Sequence, residues 1–239
     1  PSADGVSVSF ELVDCGKERQ ANTKRMSSND SSKIVSTIKV STRVRRPQDT
    51  RKNTFISDID GSAQYYGVRP AQSRQQSPNL VLTLHGASVE GMGQAEAYGN
   101  HVDINWIAAT NRRPYGFDWE DWGRKDAMEV LADASARLPM TPAKVHLAGH
   151  SMGGHGTWVN GSLYPSTFAS IAPSAGWVSF ASYGGGARSP QQPDVVDAVF
   201  NRANNEYDTL KRAGNLDYPS VFILHGDADD NVPVTEART

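Results

Sequence analysis

The apolar residues change their period near residue 79, and the change divides the chain into two kinds of structure. Before it, Val6, Val8, Phe10 and Leu12 alternate with Ser7, Ser9 and Glu11, and the stretch from Ile34 to Val44 repeats the pattern. There Val35, Ile38, Val40 and Val44 stand among Ser, Thr, Lys and Arg. A period of two places successive side chains on opposite faces, so both stretches are predicted strands. Between them, Cys15 to Ser32 is polar and aperiodic and reads as a long loop. Thr54–Ile59 and Ser62–Val68 flank Asp60-Gly61, which predicts a hairpin whose two turn residues both take positive φ. Pro70 to Pro78 reads as a linker or turn.

From Asn79 onward strands and helices alternate. Leu80-Val81-Leu82-Thr83-Leu84 is a continuous apolar run, as a strand buried on both faces requires. Trp106–Thr110, Val145–Ala148, Phe168–Ala172 and Ser220–Leu224 give four more predicted strands. Asp121 to Leu138 is the clearest helix. Ala127, Leu131, Ala134 and Leu138 form one face, and Lys125, Glu129, Asp133 and Arg137 the other. Further helices are expected near 153–164 and 206–213. Right-handed crossovers between such strands give an α/β fold with a doubly wound, mostly parallel sheet. The expected division is an N-terminal β segment over 1–53, as part of an accessory domain or sheet extension, and an α/β domain over 54–239.

Composition narrows the class without naming it. At 239 residues the chain can bury a full core, and no apolar run approaches the roughly 18 residues of a membrane helix. No signal peptide opens the chain, which decides nothing about compartment, and a secreted or periplasmic setting is expected. One cysteine excludes an intrachain disulfide and argues against a thiolate zinc site. The net charge of −2 conceals 13 Lys/Arg against 8 Asp/Glu before residue 80, and 11 against 18 after it. The basic excess at Arg43, Arg45, Arg46, Arg51 and Lys52 lacks the interleaved aromatics of a nucleic-acid surface. Neither a nucleic-acid partner nor a membrane span is expected, and the composition leaves the oligomeric state open.

The chemistry centres on Gly149-His150-Ser151-Met152-Gly153-Gly154, set between the predicted strand at Val145–Ala148 and the helix that follows. Strand, sharp turn with Ser at its apex, helix is the context that gives a G-x-S-x-G pattern meaning. A serine on so tight a turn has strained backbone angles and presents its Oγ clear of the sheet. The Met152 amide, at the start of the helix, is placed to donate to a developing oxyanion. The turn His85-Gly86-Ala87 after the first central strand offers a second donor in the amide of Ala87. His225-Gly226-Asp227-Ala228-Asp229-Asp230-Asn231-Val232-Pro233 follows the last predicted strand, where a triad acid belongs, and three aspartates compete for that role. They do not match a calcium-loop pattern, and no metal is expected.

Together G-H-S-M-G-G-H-G, H-G-A and H-G-x-x-D-x-x-V-P resemble the α/β-hydrolases. The closest likeness is to prolyl-oligopeptidase-type and dienelactone-hydrolase-like serine esterases and peptidases, in the phospholipase/carboxylesterase group. The resemblance covers about 54–239 and implies that Asp229, three residues before Val232-Pro233, is the acid. It also implies a chain order Ser, Asp, His. The six histidines are 85, 101, 146, 150, 155 and 225, and none follows Asp229. The last strand of the fold and the segment carrying the catalytic His are therefore expected beyond Thr239, which makes the sheet C-terminally incomplete.

Two uses fit the aromatic loop Asn111–Trp122: Arg113 and Tyr115 line a substrate pocket, or the loop packs a helix start. Trp177, after another strand end, has the same two uses. Tyr183–Pro190 reads as a lid-like segment over the cleft. The function implied is a serine hydrolase cleaving small carboxylic esters through an acyl-enzyme on Ser151, with Asp229 as acid, Met152 and Ala87 as oxyanion donors, and no cofactor. The alternatives are a serine peptidase of the prolyl-oligopeptidase type and a non-catalytic binding module with a hydrolase shell.

Overall fold

The computed structural model describes residues 5–14, 33–73, 79–112, 116–137, 144–183 and 195–239. It resolves into two compact units, Pro1–Pro47 and Gln48–Thr239. In the first, β1 (Gly5–Asp14) pairs antiparallel with β2 (Lys33–Arg43), with Val8 opposite Val40 and Phe10 opposite Ile38. The period-two pattern thus gathers one apolar face, and Phe10, Leu12 and Ile38 on it are each at least 60% exposed. The expected loop over 15–32 lies outside the described residues.

The second unit is a seven-stranded sheet with strand order β3-β4-β6-β5-β7-β8-β9. Its strands are β3 (Arg51–Ile56), β4 (Ala63–Arg69), β5 (Asn79–Leu84), β6 (Ile104–Ala108), β7 (Lys144–His150), β8 (Ser170–Ser174) and β9 (Ser220–Val221). The last five run parallel, and β3 and β4 join antiparallel at one edge. The mostly parallel sheet expected from the apolar runs is the one observed. The expected boundary between 53 and 54 falls inside β3, because β3 pairs with β4 along its whole length and belongs to the sheet; the division lies after Pro47. The β3–β4 turn also differs from the two-residue type. Ser57 N donates to Ser62 O across a longer loop, and Gly61 (φ 70°) alone there takes positive φ.

The helices are α1 (Gly91–Ala97), α2 (Asp121–Arg137), α3 (Met152–Leu163), α4 (Val195–Asn204) and α5 (Thr235–Arg238). Tyr66 and Gly67 show how the sheet is covered. The Tyr66 hydroxyl donates to Asp133 of α2 at 2.8 Å, while Gly67 lies against the backbone of Gly91 in α1. Successive strand residues face opposite ways, so α1 and α2 lie on opposite faces. The core gathers Tyr66, Leu80, Leu82, Leu84, Leu147, Ile171 and Trp119, all below 2% exposed. Helices α1 and α4 have no counterpart in the expected list: α1 is Gly-rich and short, and α4 is an amphipathic segment hidden in a polar stretch. The helix expected near 206–213 is 3₁₀, over Thr209–Asp217.

Candidate active site

The order of strands creates the site. From β5 the chain crosses to β6 on one side, then returns to lay β7 on the other. Such a reversal opens a crevice at the carboxyl ends of the strands. The register aligns Leu84 with Gly149, so the turns that follow β5 and β7 meet there: His85-Gly86-Ala87 and His150-Ser151-Met152. Beyond them, β8 ends at Ser174, which bridges to Leu224 just before the aspartate-rich loop.

Ser151 caps α3 with φ 58° and ψ −119°, a strained conformation for a residue with a side chain. Its surroundings enforce it. The Ser151 amide donates to Ser174 O at 2.9 Å, and Ser151 O accepts from His155 N at 3.0 Å. Side chains are barred on either side: a Cβ on Gly149 would strike the backbone of Gly153, and one on Gly153 would strike Leu84. Every residue of α3 from Met152 to Ser162 is buried, so the helix is pinned behind the serine. The Met152 amide begins that helix and makes no hydrogen bond to a described residue. The Ala87 amide on the β5 turn is likewise uncommitted, and Ala87 is exposed. A Cβ at Gly86 would stand 3.6 Å from Ser151 Cβ, which places this turn directly against the elbow.

Asp229 sits on the loop after β9. Its Oδ1 accepts from the amides of Val232 at 2.9 Å and Asn231 at 3.0 Å, and its Oδ2 lies 3.6 Å from His225 Nε2. Those two amides, aided by the nearby imidazoles of His225 and His150, hold its carboxyl below the usual carboxylate range. Asp227 and Asp230 are exposed on the same loop.

The histidines have other partners. His225 Nε2 donates to Val232 O at 2.8 Å, His146 Nδ1 meets Ser170 Oγ at 2.7 Å, and His150 Nδ1 meets Ser174 Oγ at 3.2 Å. His155 is fully buried between Trp177 O and Glu120 Oε1, each 3.0 Å away, and His101 lies beside Trp106. His85 is bound to two carbonyls at the end of β5. Among the described residues, none hydrogen-bonds the Ser151 hydroxyl.

Arg113 and Tyr115 lie outside the described residues, as does the expected lid beyond Tyr183. Trp177 is 4% exposed, stacked between His155 (4.8 Å) and Tyr183 (4.4 Å), so its ring is interior packing. The rest of the aromatic loop divides: Trp119 enters the core and donates to His85 O at 3.0 Å, while Phe117 stays 71% exposed near Phe180. The Asp118 amide touches Met152 Sδ at 3.1 Å, bringing this loop to the elbow. Spacing could not have found His155–Glu120 or Trp119–His85, because each joins residues more than thirty apart.

Residues 110–239, the span from the aromatic loop through the elbow to the acid loop, match the prolyl oligopeptidase family. The chain belongs to the prolyl oligopeptidase family. A secreted protein of Arthroderma benhamiae, itself uncharacterized, is 29% identical over 218 residues, and the aligned region makes up 23% of that protein's length. Two solved structures share the fold of this prolyl oligopeptidase-family chain. S-formylglutathione hydrolase FrmB of Staphylococcus aureus has a TM-score of 0.56 at 17% identity, over 80% of this chain and 83% of that one. The fluorophosphonate-binding serine hydrolase FphF of the same organism has 0.54 at 18%, over 76% and 80%. The α/β-hydrolase fold is thereby shown, and Ser151 stands where its β7–α3 turn comes to a point.

Proposed function

We propose that this prolyl oligopeptidase-family chain carries the nucleophile, oxyanion donors and acid of a serine hydrolase that cleaves small carboxylic esters. The observation that carries the reading is Ser151 held at φ 58° on the β7–α3 turn, near two amides, of Met152 and Ala87, that have no partner among the described residues. Ser151 Oγ attacks the ester carbonyl, and the amides of Met152 and Ala87 receive the oxyanion. Collapse expels the alcohol and leaves an acyl-Ser151 ester, which water hydrolyses. A histidine oriented by Asp229 takes the serine proton and returns it to the leaving group. Among the described residues no histidine hydrogen-bonds the Ser151 hydroxyl, so the reading assigns this base to none of the six named above.

Preference for esters is supported by likeness to most of the length of two compact enzymes, one of them named for hydrolysis of a thioester, S-formylglutathione. The family match supports a second reading, a peptidase. The name of the Arthroderma benhamiae relative supports a secreted setting, which recovery of the protein only from cells would overturn.

The test uses the protein expressed from its complete reading frame. A fluorophosphonate should label Ser151, and p-nitrophenyl butyrate should be turned over at least tenfold better than aminoacyl-anilides. Ser151→Ala should abolish both labelling and turnover, with stability changed by no more than about 1 kcal/mol. Anilide preference would transfer the reading to a peptidase. Absence of labelling, or more than about a hundredth of activity left in Ser151→Ala, would sink it.

A further inference from the structure

His85 directly follows β5 with its side chain fully buried, and both ring nitrogens face main-chain oxygens: Nδ1 is 2.8 Å from Gly86 O and Nε2 is 3.0 Å from Thr110 O. A carbonyl oxygen only accepts, so each contact calls for an N–H on the ring. Neutral imidazole has one. Burial disfavours the imidazolium and holds the pKa of the ring below its ordinary value, so only one of the two oxygens receives a proton. The choice matters because of what lies across the Gly86 carbonyl. In a trans peptide the C=O of one residue and the N–H of the next share a rigid plane and point in opposite directions. A donor fixing Gly86 O therefore fixes the direction of the Ala87 amide, on a turn packed against the elbow. Val89 N also donates to Gly86 O, but at 3.2 Å, the longer of the two contacts.

We infer that His85 is a positioning residue for the oxyanion site: as the Nδ1–H tautomer it grips the Gly86 carbonyl and, through the Gly86–Ala87 peptide plane, aims the Ala87 amide at the charge that develops on the substrate. The inference rests on the serine-hydrolase reading. It excludes a ring that merely ties the turn after β5 to the segment after β6 through Thr110, which would need the proton on Nε2. Trp119, donating to His85 O and set edge-on 4.9 Å from the ring, keeps the imidazole in place.

Two substitutions separate the nitrogens, since the Asn amide reaches the place of Nδ1 and the Gln amide that of Nε2. In the protein from the complete reading frame, His85→Asn should keep kcat within about threefold. His85→Gln should lower it by about 10²-fold, the usual effect of losing one oxyanion donor, with KM within about twofold. Affinity for a trifluoromethyl ketone, whose adduct carries the oxyanion, should fall in parallel with kcat. Equal kcat in the two variants, or retention in Gln and loss in Asn, overturns the inference while leaving Ser151 labelling intact. Wild-type protein that takes no fluorophosphonate label removes the reading beneath it instead. If neither variant folds, ¹⁵N-histidine spectra of the wild type decide: a proton on Nδ1 of His85 is expected, and one on Nε2 overturns the assignment.

Discussion

The elbow and the acid loop both stand at carboxyl ends of strands in one sheet, yet they are built by opposite means. At the elbow, geometry comes from packing between distant segments. Gly153 has no room for a side chain against Leu84, Ser151 is bonded to Ser174, and α3 is buried along almost its whole length. In the acid loop it comes from neighbours in the chain. Asp229 accepts from Asn231 and Val232, His225 donates to Val232, and a Cβ on Gly226 would meet nothing within 4 Å. Among the residues of that loop, Val232 is its buried anchor, at 1% exposed. A strained serine needs a surround that over-determines it. A carboxylate whose task is to accept hydrogen bonds needs only amides in the right places. Side chains forced onto the elbow's glycines should therefore read out in stability, and loss of the acid loop's carboxylate in turnover.

The largest effect that could break this comparison is at Asp229. If the loop's geometry serves that one carboxylate, Asp229→Asn in the complete protein should lower kcat by roughly 10⁴ while leaving the melting temperature nearly unchanged. Asp227→Asn, on the same exposed loop, should cost less than about tenfold by the same measure. Reversed sensitivities would place the acid at Asp227. Next in size is a pair of glycine substitutions followed by urea unfolding. Gly153→Ala forces a methyl into the Leu84 backbone and should destabilise by about 3 kcal/mol or more. Gly226→Ala meets open space and should stay within about 0.5 kcal/mol. Equal losses would mean that the acid loop is packed like the elbow.

How much of this was legible in the sequence follows the same division. The elbow could be read because G-H-S-M-G-G sits between a strand and a helix, and its glycines mark steric limits that local pattern records. Among the parallel strands β5 could be read most directly, because burial on both faces writes the continuous apolar run Leu80–Leu84, whereas β9 is exposed at both Ser220 and Val221 and is shorter than the apolar run to Leu224 that announced it. Asp229 could be singled out only through its place before Val232-Pro233. The N-terminal boundary was misplaced because β3, half exposed at the sheet edge, carries a weak pattern in Arg51-Lys52-Asn53-Thr54-Phe55-Ile56. Helix α1 was missed because its glycines suppress helical propensity, and contact with β4 and β6 supplies what propensity lacks. Trp177 could not be assigned, because the ring that stacks on it, His155, belongs to a different element.

The smallest expected effect sharpens the comparison through two carboxylates of opposite behaviour. Asp126, on α2, is fully buried against the loop that joins β6 to α2; its Oδ2 faces the Arg112 amide at 3.4 Å, and its Oδ1 has no partner among the described residues. Burial pushes its carboxyl up to about 6, from an unfolded value near 4. Between those values the folded protein holds a proton that the unfolded chain has lost. Stability therefore falls as pH rises from about 4 to about 6 and stays lower above it, by about 2–3 kcal/mol from this group. Asp229 has the reverse sign: its carboxyl is lowered, so its contribution is present above the unfolded value and fades only as pH falls below about 4. Asp126→Asn, which keeps the shape and removes the charge, should be more stable than wild type at pH 8 and no more stable at pH 4. Unfolding free energies from urea titrations at pH 4, 5, 6 and 8 provide the check. Parallel curves for the two proteins across that range would show that Asp126 is ionised without penalty, and that its surroundings are wetter than its burial indicates.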